Sequence, residues 1–224
     1  MGRARDRPRG ARSGYTLIEL MMIVMIIAVS VLAFTPGFSR AMADRRVGLA
    51  TRELIRIGRR ARADTFGYLR AHLLWIKPGT GTVAGTVQLL RGPTNSCALT
   101  AWNTVAADCA TNLATSRCVE SLQLANESGS TRVITLREEA VDGSITSYSS
   151  LNRALCFQPS GVMMTGSGGT DPPAGSALVE MTAGVVAGGY VFALVSGADP
   201  PGTNAAQKVH RVLFPQGGSP RSLR

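Results

Sequence analysis

Twenty consecutive residues, Tyr15 to Phe34 (YTLIELMMIVMIIAVSVLAF), contain one charged side chain, Glu19. As a helix such a run rises about 30 Å, the hydrocarbon thickness of a bilayer, so the sequence predicts a transmembrane helix over residues 15–36. Pro36-Gly37 is expected to end or kink it, because proline lacks the N–H and its ring clashes with the preceding turn. An ionised acid deep in lipid costs roughly 2.5–3.5 kcal/mol on insertion scales. Glu19 therefore needs a shallow position near the headgroups, a proton, or a cationic partner. The basic stretch before the run is like the n-region of a signal peptide, yet the apolar run exceeds an ordinary h-region.

The formal charge of +10 is unevenly placed. Residues 1–14 carry +4 and residues 40–77 carry +7, whereas residues 78–224 hold nine basic and nine acidic side chains. A nucleic-acid footprint belongs on a folded surface, and most of this charge lies in a leader and in what reads as a helix. From Phe38 to about Leu74, apolar residues at Phe38, Met42, Leu49, Leu54, Ile57, Ala61 and Phe66 follow helical spacing, with arginines on much of the remaining face. Residues 37–76 are thus expected to form an amphipathic helical stalk whose arginine row is a solvated face.

Beyond it, short apolar runs (LLWI, TVQLL, CVESLQL, RVITL, ALCF, GVMM, ALVEM, YVFALV, VHRVLF) alternate with turn residues. The pattern predicts a β-rich head over residues 77–224. Two Asp-Pro-Pro tripeptides, at Asp171 and Asp199, mark surface loops. Cys97, Cys109, Cys118 and Cys156 all fall in this head without C-x-x-C spacing. An even count suggests two disulfides with three connectivities open. Closing the short loop from Cys97 to Cys109 would contribute ~3 kcal/mol.

Little else in the chain suggests catalysis. Only His72 and His210 are available to a metal centre, and a Cys156–His210 nucleophile pair competes with disulfide formation. GTGTVAG (Gly79–Gly85) lacks dinucleotide-binding spacing, and no G-x-S-x-G or H-E-x-x-H occurs. The expectation is no catalytic residue, cofactor or metal. Lys208, Arg211, Arg221 and Arg224 form a basic tail able to contact phosphates.

The string G-Y-T-L-I-E-L-M-M-I-V-M-I-I, from Gly14 onward, resembles the processing signal of type IV pilins and type II secretion pseudopilins, with Pro36 where such stalks carry a kink proline. Tyr15 and Ala28 depart from the commoner Phe and Gly. The resemblance implies that a prepilin peptidase removes Met1–Gly14 and N-methylates Tyr15. It implies that Glu19 pairs with the amino terminus of a neighbouring subunit during assembly. It also implies an inner-membrane, single-pass placement with the leader cytoplasmic and the head periplasmic.

RIGRRARAD (Arg56–Asp64), CFQPSG (Cys156–Gly161), YVFALV (Tyr190–Val195) and KVHRVLFPQGGSPR (Lys208–Arg221) are similar to the GspH/FimT-like minor pilins. The resulting expectation is an α+β protein: a long N-terminal transmembrane and amphipathic helix followed by an antiparallel β-rich head, acting as a non-enzymatic minor pilin or pseudopilin whose partners are the peptidase, other subunits and the inner membrane. A DNA-binding minor pilin of natural transformation is the alternative, and a signal-anchored envelope enzyme the third reading.

Overall fold

The structure is a computed structural model. It describes residues 15–78, 85–97, 109, 118–124, 134–142, 145–149, 152–167, 179–180, 189–196 and 208–223. Among these, helix α1 (Leu17–Tyr68) precedes eleven strands: β1 (His72–Lys77), β2 (Thr86–Arg91), β3 (Cys118–Gln123), β4 (Ile134–Asp142), β5 (Ile145–Ser149), β6 (Arg153–Phe157), β7 (Met163–Ser167), β8 (Val179–Glu180), β9 (Gly189–Ser196), β10 (His210–Pro215) and β11 (Arg221–Leu223). The chain divides into two compact units, Met1–Met42 and Ala43–Arg224, with the boundary inside α1.

Within the second unit the strands form two antiparallel sheets, ordered β3-β2-β1-β6-β7-β8 and β11-β10-β9-β4-β5. Both sheets turn one face towards the helical segment. Val47, Leu54, Ile57 and Ala61 of α1 share one buried cluster with Leu74, Ile76, Leu89, Leu155 and Phe157 of the first sheet and with Leu136, Phe192, Leu194, Val212 and Phe214 of the second. The spacing 47, 54, 57, 61 is one helical stripe, and the sheet residues alternate along their strands as a period of two requires. β1 is buried on both faces. Leu74 and Ile76 enter this core, while Leu73 and Trp75 join a second cluster on the far face with Leu90, Ala154 and all four cysteines.

The disulfides are Cys97–Cys156 and Cys109–Cys118. Cys156 lies opposite Leu73 in the β1–β6 register, so the longer bridge ties the segment after β2 to the second strand beyond it in the sheet. A Cys97–Cys109 bridge is not formed.

Three expectations need correction. First, among the described residues no helix is long and apolar enough to cross a membrane. This overturns the transmembrane helix over 15–36, the membrane part of the expected fold class, and the single-pass inner-membrane placement. The fold is restated as an antiparallel, sheet-rich body whose core receives one stripe of α1.

Second, of the two outcomes expected at Pro36-Gly37, an end or a kink, the helix does not end there, since helical backbone continues through both positions. A single proline removes one intrahelical bond, and the flanking turns keep theirs. Third, the stalk expected to reach residue 76 stops at Tyr68. Leu69 takes φ 52°, in the left-handed region where a helix is commonly closed, and His72–Lys77 is already a strand. The leader, residues 1–14, lies outside the described residues.

At Gly58, α1 and the second sheet approach closely. A Cβ there would stand 2.6 Å from Phe214 Cε1 and 2.8 Å from Pro220 Cγ. Alanine favours a helix interior by about 1 kcal/mol over glycine. The clash against a buried ring outweighs that, so Gly58→Ala is expected to destabilise the body by about 2 kcal/mol in urea unfolding. Removing the Cys97–Cys156 bridge, which closes 59 residues, is expected to cost about 4 kcal/mol. Removing Cys109–Cys118, which closes 9, is expected to cost about 2.6 kcal/mol on the same chain-entropy scale.

Candidate functional site

The N-terminal segment of α1 begins with a capping arrangement. Thr16 Oγ1 accepts a hydrogen bond from the Glu19 backbone N–H at 3.3 Å, and the Leu20 N–H reaches the Thr16 carbonyl at 3.2 Å. Thr16 is thus the N-cap and Glu19 the third helical residue, the T-x-x-E order of a capping box. A carboxylate in the first turn also interacts favourably with the helix dipole, worth about 0.3–1 kcal/mol. Sequence reasoning weighed lipid depth, protonation and an intermolecular amine for Glu19 and missed this local role, although the T-x-x-E spacing carries the signal.

Downstream of the cap, large apolar side chains are exposed all round the helix. Leu17 and Leu32 are each 76% accessible, and Ile18, Met21, Met25 and Phe38 are similarly open. A helix apolar on every face forms no solvent-facing side, so this surface is built to be covered. Pro36, predicted as an assembly feature, lies in the helix, but its side chain and Gly14 lie outside what the structure describes; Tyr15 is exposed just before the cap.

In the second unit, α1 carries charge on its outer side. Arg56 hydrogen-bonds both Glu53 and Glu120, and Arg60 Nη1 meets Glu120 Oε2 at 2.8 Å. Burial pushes the Glu120 carboxyl up, but the two guanidiniums outweigh it and hold the group below the usual carboxylate range. Arg62 is half-buried and spans to the Pro215 and Gln216 carbonyls at 2.5 and 3.1 Å, with its guanidinium over the Phe157 ring. These contacts clip the turn after β10 onto the helix.

Of the four tail residues, Lys208 lies 3.6 Å from Asp44 and Arg211 2.7 Å from Glu139, so two already have carboxylate partners. Arg221 is exposed, and Arg224 lies outside the described residues. Cys156 is bridged to Cys97 and cannot act as a thiol nucleophile. Among the described residues no cluster of His, Cys, Asp and Glu is arranged to hold a metal. No family model, curated protein or solved structure matches the chain.

His72 is fully buried where α1 gives way to β1. Its Nδ1 lies 3.2 Å from Thr65 Oγ1 and 3.1 Å from the Arg70 carbonyl, and Thr65 Oγ1 already donates to Ala61. Nδ1–H is therefore the donor, and Nε2 has no hydrogen-bond partner among the described residues. Burial lowers the His72 pKa below its ordinary value, opposed by the Arg70 carbonyl and Asp64 and assisted by Arg91. Burial also lowers that of His210.

A depressed base binds fewer protons folded than unfolded, so its contribution to stability is complete above the unfolded pKa and falls away below it. Unfolding free energy is expected to decline as pH drops below about 6.5. In the His72→Gln variant that decline should be visibly shallower in urea titrations between pH 7 and pH 5.

Proposed function

We propose that this chain is a filament subunit of the pilin and pseudopilin kind, processed after Gly14 and assembled through the apolar part of α1. The observation that carries the reading is the exposed apolar helix surface from Leu17 to Phe38, which belongs to a different unit from the sheet body. A helix of this character is covered when its faces meet other apolar surface, and side-by-side packing of copies would cover all faces at once.

The first-turn carboxylate gives such packing an axial register. Once the helices pack, Glu19 would be desolvated, and the cation best placed to meet it is the amine created on Tyr15 of an adjacent copy. Removing one member of a buried pair is costlier than removing both. The sheet body is held by two disulfides.

Two measurements test this. Mass analysis of protein recovered from its native cell should give a mature chain starting at N-methylated Tyr15, and recovery of a chain starting at Met1 would overturn the proposal. Glu19→Ala should fold normally, lose at most about 1 kcal/mol of helix-start stability, and be incorporated into filaments at least about tenfold less efficiently than the parent, the order expected when a buried partner is left unpaired. Incorporation at the parental level would remove the assembly role from Glu19.

A further inference from the structure

Met21, Met22 and Met25, three of the chain's eight methionines, fall within about 6 Å of helix rise in the apolar part of α1. They are 66%, 62% and 72% exposed. Met21 and Met25 are neighbours at i, i+4, and Met22 stands on the adjoining face. The described methionines of the sheet body are held differently. Met163 has no accessible surface and belongs to the cluster that joins both sheets to α1. Met164 packs against the cysteine cluster, its Sδ accepting a hydrogen bond from Gln158 Nε2 at 3.2 Å.

A thioether open to solvent reacts with a small two-electron oxidant such as hydrogen peroxide, whereas a buried one waits for the fold to open. The sulfur lone pair attacks one peroxide oxygen, an S–O bond forms, the O–O bond breaks, and the departing hydroxide takes the proton left on the transferred oxygen. The products are a sulfoxide and water, with sulfur oxidised and peroxide reduced by one electron pair. A flexible apolar side chain thereby becomes a polar one.

The surroundings decide what the added oxygen costs. In the free chain it faces water, which supplies its hydrogen bonds. Leu17, Ile18, Leu20, Val24 and Ala28 line the same stretch of helix surface as the three methionines and offer no side-chain donor. Backbone N–H groups from Leu20 onward are taken within the helix, and the Ser30 hydroxyl donates to the Ile26 carbonyl at 2.8 Å. Where copies pack along this surface, a sulfoxide is an acceptor deprived of water and given no donor in return. The penalty falls on the packed state alone.

We propose, building on the filament reading, that Met21, Met22 and Met25 form an oxidation site at which peroxide withholds unassembled subunits from the filament, while packing shields the same sulfurs in subunits already incorporated.

The test takes the full-length chain in nonionic detergent, with or without hydrogen peroxide treatment, then removes the detergent and measures self-association by sedimentation over a concentration series. Peptide mass analysis should show Met21, Met22 and Met25 each gaining one oxygen at least about tenfold faster than Met163. The concentration at which the chain begins to sediment should rise at least about tenfold after oxidation, the size expected of one buried acceptor left unpaired. A Met21→Leu, Met22→Leu, Met25→Leu variant, which keeps volume and apolar character and is checked for an unchanged thermal midpoint, should sediment as the untreated parent does, with or without peroxide.

An untreated parent that stays dispersed throughout would sink the filament reading and this site with it. An untreated parent that sediments, and does so unchanged after peroxide, would overturn the site alone. So would an equal loss in the leucine variant, or oxidation of Met163 as fast as that of the three helical methionines.

Discussion

The body is organised around one stripe of α1. Leu54, Ile57 and Ala61 have no accessible surface and share one buried cluster with the inner faces of both sheets, so the helix is the common filler of a space that neither sheet closes by itself. Burying a leucine or isoleucine side chain is worth about 1.5–3 kcal/mol, and these residues serve two sheets at once. Gly58, on the flank of that stripe, lets Phe214 approach, and Phe214 in turn meets Phe192 edge-on at 5.7 Å between ring centroids. The geometry of the second sheet against the helix therefore depends on a missing methyl group.

Polar ties reinforce the apolar one. Arg153 of β6 bonds Glu138 of β4, joining the two sheets at a site where both side chains are largely buried, and it also lies over the Tyr190 ring. Such a pair contributes modestly while intact. Loss of either member strands a buried charge at a cost of several kcal/mol. Its effect is to penalise any slippage of one sheet past the other. Glu120 also ties β3 to the helix, in a more exposed setting, through residues 60 and 64 positions away in sequence.

The apolar run from Tyr15 and the strand-forming segments are legible because period and composition are local properties. Each of the nine apolar runs that read as β-rich overlaps a strand, whereas β5 (ITSYS) and the three-residue β11 escape the pattern, being short and weakly apolar. The junction at 68–77 misleads for a physical reason: LLWI is buried on both faces, and a continuous apolar run does not distinguish a core strand from the end of a helix. The closing residue, Leu69, adopts a conformation that sequence rules reserve for glycine. Disulfide pairing is unreadable because it depends on β1 lying beside β6. The cap at Thr16 is legible in the T-x-x-E spacing, but Glu19 stands out as a charge before it stands out as a helix-start residue. The arginine row along α1 is visible as spacing. What spacing cannot show is which arginines have acids waiting for them in distant strands.

The contacts of Arg62 with the carbonyls of Pro215 and Gln216 join residues 153 and 154 apart, and Gly58 receives Phe214 and Pro220 across a similar interval. During synthesis at about 5–20 residues per second, the helix leaves the ribosome many seconds before β10 and β11 exist to cover its flank. Closure of the body is consequently a late, non-local event, of the kind that folds slowly. Until it happens, the half-built intermediate leaves Ile57 and Ala61 short of one of their two sheets, which makes this interval the one in which a holding chaperone matters most.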